Sequence, residues 1–235
     1  MTASRLFTLC AMLCLLAACQ PRPPRGEPVQ ADEFDISTVA KSDGDMVIEI
    51  NLAQSKRYLY ELARKLYARN PNQLRRGRFG SQEMALNALV GPRRLDYYPG
   101  LGGKRSAQAI ALAFDESYAG DRVAAFIFGM HSMLLDAYDG KHEFYVIDVL
   151  DPQKLYYLAR NFETAFWKLR HDRDGYGQVF LLSNSLAGEG NLSFERLAGK
   201  LIALQDLMAK VVADGSNRQI KNVIQRVTSA VFFPI

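Results

Sequence analysis

The sequence predicts a mainly α fold, a single-domain multi-helix bundle built round one central apolar helix, with room for one or two short strands. Two observations carry most of that expectation. Apolar side chains recur three and four residues apart along several long segments, which is the repeat of a helix with one buried face. Between Arg122 and Asp136 there is also a run without any charge, Val123–Leu135. It is too short to span a bilayer, which takes roughly 20 apolar residues. A helix apolar all round belongs in the middle of a domain.

The elements follow in order. Leu52, Leu59, Leu62 and Leu66 lie at helical intervals, and Asn70-Pro71 stops that segment. Ser81 to Val90 predicts a shorter helix closed by Gly91-Pro92, and residues 93–103 form a loop rich in Gly, Pro and Tyr. Ala107, Ile110, Ala111 and Phe114 mark the next helix, with Ser106 as its cap, and Asp121 opens the central one. His142 to Leu150 fits a short strand or a buried helical turn, and Gln178 to Leu182 a short strand or loop. Asp151-Pro152 is a strong helix start, a capping carboxylate followed by proline in the first turn. Its inward stripe is Leu155, Leu158, Phe162, Phe166 and Leu169. Two C-terminal helices are expected. Phe194, Leu197, Leu201, Leu204, Met208 and Val211 form a seam on the first, with Leu192 stapled onto Leu197 and Gly215 as the stop. A capping box, Ser216 with Gln219, opens the second, whose inward residues run from Ile220 to Val231.

The first eighteen residues read as an export segment. Arg5 is followed by an apolar stretch, Leu6 to Leu16, broken only by Thr8, and then Leu16-Ala17-Ala18-Cys19. That ending resembles the lipobox of bacterial lipoproteins. The resemblance implies cleavage before Cys19, acylation of its sulfur and new amino group, and a membrane anchor. Gln20 in place of aspartate after the cysteine implies sorting to the outer membrane of a Gram-negative cell. Several acyl chains hold far better than one, since each buried CH₂ contributes about 0.8 kcal/mol. The expected organisation is therefore a signal peptide over 1–18, a lipidated cysteine with a Pro-rich, acidic tether over 19–44, and a helical domain over 45–235. Asp151-Pro-Gln-Lys-Leu-Tyr156 and Leu192-Ser-Phe-Glu-Arg-Leu-Ala-Gly-Lys-Leu201 also resemble proteobacterial lipoproteins without assigned activity, which supply no catalytic residue to carry over.

Cysteine occurs only at 10, 14 and 19, so the mature domain has no disulfide and must rely on packing. The charge is uneven. Lys56 to Arg105 holds twelve Lys or Arg against Glu61, Glu83 and Asp96, whereas Glu27 to Glu49 is acidic apart from Lys41. Arginine and tyrosine together suit contacts with anionic head groups, glycan or a protein partner. The expected partner surface is Arg75, Arg76, Arg78, Arg93, Arg94, Tyr97, Tyr98, Lys104 and Arg105, the plainer alternative being a solvated face partly neutralised by the acidic segment. Nucleic acid is a poor partner in that compartment.

Other chemistry is weakly written. Gly100-Leu-Gly-Gly-Lys-Arg-Ser106 looks like a phosphate cradle, but Tyr98 stands where the P-loop needs its first glycine and Arg105 where it needs Ser or Thr. His131, His142 and His171 lack metal-ligand spacing, so no metal or cofactor is expected, and His131 reads as a hydrogen-bonded core residue. Gly129-Met-His-Ser-Met133 is no nucleophile elbow. The leading expectation is a non-enzymatic envelope protein that binds a partner. The alternatives are a small-molecule or lipid carrier with an apolar cavity near Val123–Leu135, and an enzyme of unrecognised class.

Overall fold

The computed structural model describes residues 41–91, 98–183 and 192–231, with side chains as far as 215. Seven α-helices occupy most of this span: α1 (Asp43–Arg69), α2 (Pro71–Arg76), α3 (Gln82–Val90), α4 (Ser106–Ala113), α5 (Arg122–Ala137), α6 (Pro152–His171) and α7 (Ser193–Val231). The mainly helical, single-domain bundle is as predicted. The described residues fall in one compact unit, Ser37–Ile235. No described helix is long and apolar enough to cross a membrane.

Helix starts follow local chemistry. Ser81, Asp121 and Asp151 each accept a backbone N–H of the first turn, from Met84, Ala124 and Gln153 respectively. The folded chain begins earlier than the expected boundary at residue 45. Ser42 accepts from Asp45 N while the Asp45 carboxylate accepts from Ser42 N, a capping box that starts α1 at Asp43. Lys41 donates to Glu49 at 2.7 Å. Ser106 is not the cap of α4; it is the first helical residue, at φ +48°, and Arg105 holds the cap position without a side-chain bond.

Helix α5 is the centre. Among Arg122–Ala137 only Asp136 is exposed, and the helix touches α1, α3, α4 and α6. Phe126 meets Phe114 and Phe166 edge to face at 5.9 and 6.3 Å. At Gly129 helices α4 and α5 approach so closely that a Cβ would lie 2.6 Å from Ile110 Cγ1 and 2.8 Å from Ser106 O. His131 is a core residue, its Nδ1 2.9 Å from Leu89 O.

Neither suggested strand forms. In 142–150 only Phe144 and Leu150 are buried, and the backbone N–H groups bind side chains instead of a neighbouring strand. Phe144 N donates to Glu49 at 2.7 Å and Tyr145 N to Asp148 at 3.0 Å, which closes a turn. Residues 178–182 make a single bridge, Val179 to Arg173, and the Asn70 amide side chain pairs with Leu182 N and O as a strand would.

The C-terminal helix is one element, not two. Gly215 is absent from the positive-φ glycines and sits within α7. A glycine inside a helix costs only about 1 kcal/mol against alanine, too little to stop one this long. Its buried line is Phe194, Leu197, Leu201, Gln205, Met208 and Val212, so Gln205 and Val212 replace the expected Leu204 and Val211. At 3.6 residues per turn Gln205 and Val212 come back to within roughly 20° of Phe194 around the helix, whereas Leu204 and Val211 stand about 80–100° away. Leu192 is exposed and does not staple the helix start.

A polar cluster crosses this core. Asn51 and Ser55 of α1, Tyr138 after α5 and Gln205 of α7 are all buried. The Tyr138 hydroxyl lies 2.8 Å from Asn51 Oδ1 and 3.0 Å from Gln205 Oε1, and Gln205 Nε2 lies 2.7 Å from Ser55 Oγ. Tyr138→Phe removes the hydroxyl whose single proton is donated to one of these two amide oxygens. It is expected to cost about 1–3 kcal/mol in urea unfolding; a change under a few tenths would mean the cluster contributes little.

Candidate functional site

Helix α1 leads from the chain entry at Lys41 to Arg69 over about 40 Å, at 1.5 Å per residue. At its far end the short helix α2, the start of α5, the end of α4 and the turn 173–180 meet around one cleft of about 350 Å³. Its lining includes Arg76, Arg122, Glu116, Asp174, Tyr176 and Phe180.

Asp121 anchors the cleft from behind. Its Oδ1 accepts from Ala124 N at 2.9 Å as the cap of α5, and the Tyr67 hydroxyl donates to Oδ2 at 2.8 Å. Burial pushes this carboxyl up to about 6, against the pull of those hydrogen bonds. The same burial, with Asp121 alongside, raises the Tyr67 and Tyr98 hydroxyls. Gly77 leaves the space that the carboxylate occupies, since a Cβ there would stand 2.5 Å from Asp121 Oδ2.

Arg122 follows directly and is itself buried. Its backbone N donates to Gln73 Oε1 at 2.9 Å. Its Nη1 donates to Ala113 O and Asp115 O at 3.0 and 2.7 Å, at the C-terminal end of α4 where a cation is favoured. The guanidinium lies over the Phe180 ring at 4.9 Å. Burial first, and the like charge of Arg76 second, depress its pKa. Asp174 is fixed by its own turn, its Oδ1 accepting from Tyr176 N and Gln178 N. Among the described residues Arg76, Arg122, Glu116 and Asp174 form no ion pair with one another or with any other group. Two guanidiniums without a direct ion pair can hold a carboxylate or phosphate, and the two acids can meet a cationic group on the same ligand.

The sequence-predicted surface is divided by the fold. Arg75, Arg76 and Arg78 are exposed on and just after α2, and Arg76 reaches the cleft. Tyr98 is a correction: it is buried, stacked on Phe79 at 5.8 Å between centroids, because its ring covers the pocket behind Asp121. Lys104 and Arg105 are exposed but stand at the opposite end of α4 from Asp115. Arg105 pairs with Asp136 at 3.1 Å, and Ser106 Oγ donates to the same carboxylate at 2.6 Å. A side chain of the protein thus already supplies the anion at the glycine-rich turn, and Ser106 N is taken by Ser132 Oγ at 2.8 Å. Arg93, Arg94, Tyr97 and Cys19 lie outside the described residues. His142 and His171 are apart from His131 and from each other, beside Lys56 and Trp167 O.

Sequence reasoning missed Arg122, Glu116 and Asp174 because the fold brings two separate segments, 116–122 and 173–180, against Arg76 of α2. One signal was present: Arg122 is a charge placed immediately inside a capped, wholly apolar helix. Comparison with protein-family models, curated proteins and solved structures finds no match.

Proposed function

We propose that this chain is a lipoprotein of the cell envelope, anchored through acylated Cys19 in the outer membrane and facing the periplasm, that acts as a binding protein and not as an enzyme. The Leu16-Ala17-Ala18-Cys19 ending and the Pro-rich stretch after it support the anchor. The observation that carries the binding role is the cleft, in which Arg76 and Arg122 share the lining with Glu116 and Asp174 and none of the four forms an ion pair among the described residues. Its ligand is an anionic group on an envelope protein, lipid or cell-wall glycan. Helix α1 puts the cleft about 40 Å from the chain entry at Lys41. The carrier alternative has less support, since Val123 to Leu135 are packed tightly and the described hollows all open at the surface.

Two experiments test the reading separately. Palmitate label on the protein is expected to vanish in Cys19→Ser; label that persists removes the anchor. Arg75→Glu, Arg76→Glu and Arg78→Glu together are expected to reduce in-cell crosslinked partners while leaving the thermal transition within about 2 °C, as exposed side chains should. An unchanged crosslinking pattern removes the cleft and its rim as the binding surface.

A further inference from the structure

The end of the bundle where the chain enters is unusually apolar. In the turn after Phe144, Val146, Ile147 and Val149 are 60, 89 and 70 % exposed. Ile50 of α1 and Leu207 of α7 are exposed to 64 and 59 %. Asn51 Nδ2 donates to Leu204 O and Ser55 bonds Gln205, so α1 and α7 run antiparallel, and Leu207 lies level with the first turns of α1. A groove of about 310 Å³ joins these pieces, with Ser42, Ile48, Val149, Leu150 and Val211 on its walls. The turn is held in place and not splayed by accident: Glu49 accepts from both Phe144 N and Lys41, and Lys41 lies over the Tyr145 ring. Apolar side chains fixed in water at one end of a domain mark a contact surface.

Two facts identify what covers it. First, this is the end from which the preceding chain leaves, at Lys41. On the anchor reading, on which this inference rests, Cys19 and its acyl chains are joined to it by the residues 20–40. Second, charge favours an anionic surface. The groove also holds Gly215, level with Ser42, and α7 continues sixteen residues beyond it, about 24 Å of helix. That extension carries Arg218, Lys221 and Arg226 in its sequence and no acidic residue, with Ile220, Val223, Ile224 and Val227 at helical spacing. Apolar residues at the 3.6 period with basic residues between them are the pattern of a helix that lies in a membrane interface. Each Lys or Arg near an anionic leaflet adds to the attraction. Of the acids at this end, Glu49, Asp148 and Asp214 are engaged by Lys41, Lys141 and Lys210, while Asp43 and Glu143 are exposed and form no ion pair among the described residues.

We infer that this entry end, comprising the 145–149 turn and the basic extension of α7, seats directly on the surface of an anionic phospholipid bilayer. The domain then does not swing freely on its tether, and the Arg76–Arg122 cleft is held at a set height.

Trp167 is the only tryptophan, which allows a direct test. In the full chain with Trp167→Phe, tryptophan is placed at the turn (Ile147→Trp) or beside the cleft (Tyr176→Trp). Both positions are exposed, so neither change disturbs the core. The acylated protein is reconstituted in phosphatidylethanolamine–phosphatidylglycerol vesicles, with and without brominated acyl chains. Emission from position 147 is expected to shift to the blue and to be quenched roughly two- to threefold more than that from 176, because an interfacial residue meets the upper acyl region. Equal quenching at the two positions overturns the inference. A blue shift without vesicles that grows with protein concentration also overturns it, in favour of a second copy covering the patch. The acyl mass on Cys19, read from the same preparation, decides the anchor on its own. If that mass is absent, the contrast between 147 and 176 on the same vesicles still decides the bilayer contact.

Discussion

Asparagine at position 121 is expected to raise stability at pH 7 by up to about 3 kcal/mol and to leave it unchanged at pH 4. Burial lifts the Asp121 carboxyl to about 6 from an ordinary 3.8. Between those two values the folded form binds more protons than the unfolded chain, so this residue's contribution to stability falls as pH rises through the window. That is the reverse of a carboxylate held low by its partners. Asp115 and Asp148, lowered by hydrogen bonds from Ser117 and Lys141, lose their contribution as pH falls below the usual carboxylate range. Asparagine keeps an oxygen for Ala124 N and, in place of Oδ2, an Nδ2 that can donate to the Tyr67 hydroxyl oxygen, without the buried charge. Alanine keeps neither, and Asp121→Ala is expected to cost about 2–4 kcal/mol at pH 4, from a lost cap and a stranded phenol. Urea unfolding at the two pH values checks both. An asparagine variant no more stable than the parent at pH 7 would show that the carboxylate is ionised at little cost.

Gly129→Ala and Gly199→Ala are expected to move stability in opposite directions. Both glycines are helical, and alanine gains about 1 kcal/mol of helix propensity at either. At Gly199 a Cβ meets nothing within 4 Å, so the gain stands. At Gly129 the added carbon would sit 2.8 Å from Ile110 N and Ser106 O as well as against Ile110 Cγ1. Those are backbone atoms of α4, which cannot rotate aside, and the helix pair must separate. Overpacking of this kind costs about 1–3 kcal/mol and occasionally more, so the net effect at 129 is a loss, and Gly129→Leu is expected to abolish the cooperative transition. Should Gly129→Ala match Gly199→Ala in thermal unfolding, the α4–α5 contact is looser than described.

Much of this fold is legible in the sequence because helix starts are local. Ser81, Asp121 and Asp151 each announce a helix through a side chain two or three residues from the amide it caps. The uncharged run after Arg122 needs no partner to be read as buried. What escaped depends on the rest of the chain. The turn at 144–148 has strand-like composition, yet Glu49, almost a hundred residues earlier, takes the hydrogen bond a strand would need. The glycine at 215 resembles a stop signal, but a stop requires left-handed backbone, and the pull of a long helix on either side prevails. The cleft shows the same division. Arg76 is visible as one of a basic group, whereas its pairing with Arg122 arises from the way α2 folds back after Asn70. Tyr98 groups with its exposed neighbours in the sequence, and it is tertiary packing on Phe79 that turns this tyrosine inward.

The polar cluster of Asn51, Ser55, Tyr138 and Gln205 has one more consequence. An apolar seam repeats itself: slide α7 along α1 by seven residues and Phe194 takes the place of Leu201, Leu201 that of Met208, with little change in oily contact. Gln205 has no such double. A slip by even one turn, about 5.4 Å, would leave its amide facing leucine and strand three polar groups away from water. The cluster therefore selects a single register from several that hydrophobic packing alone would tolerate.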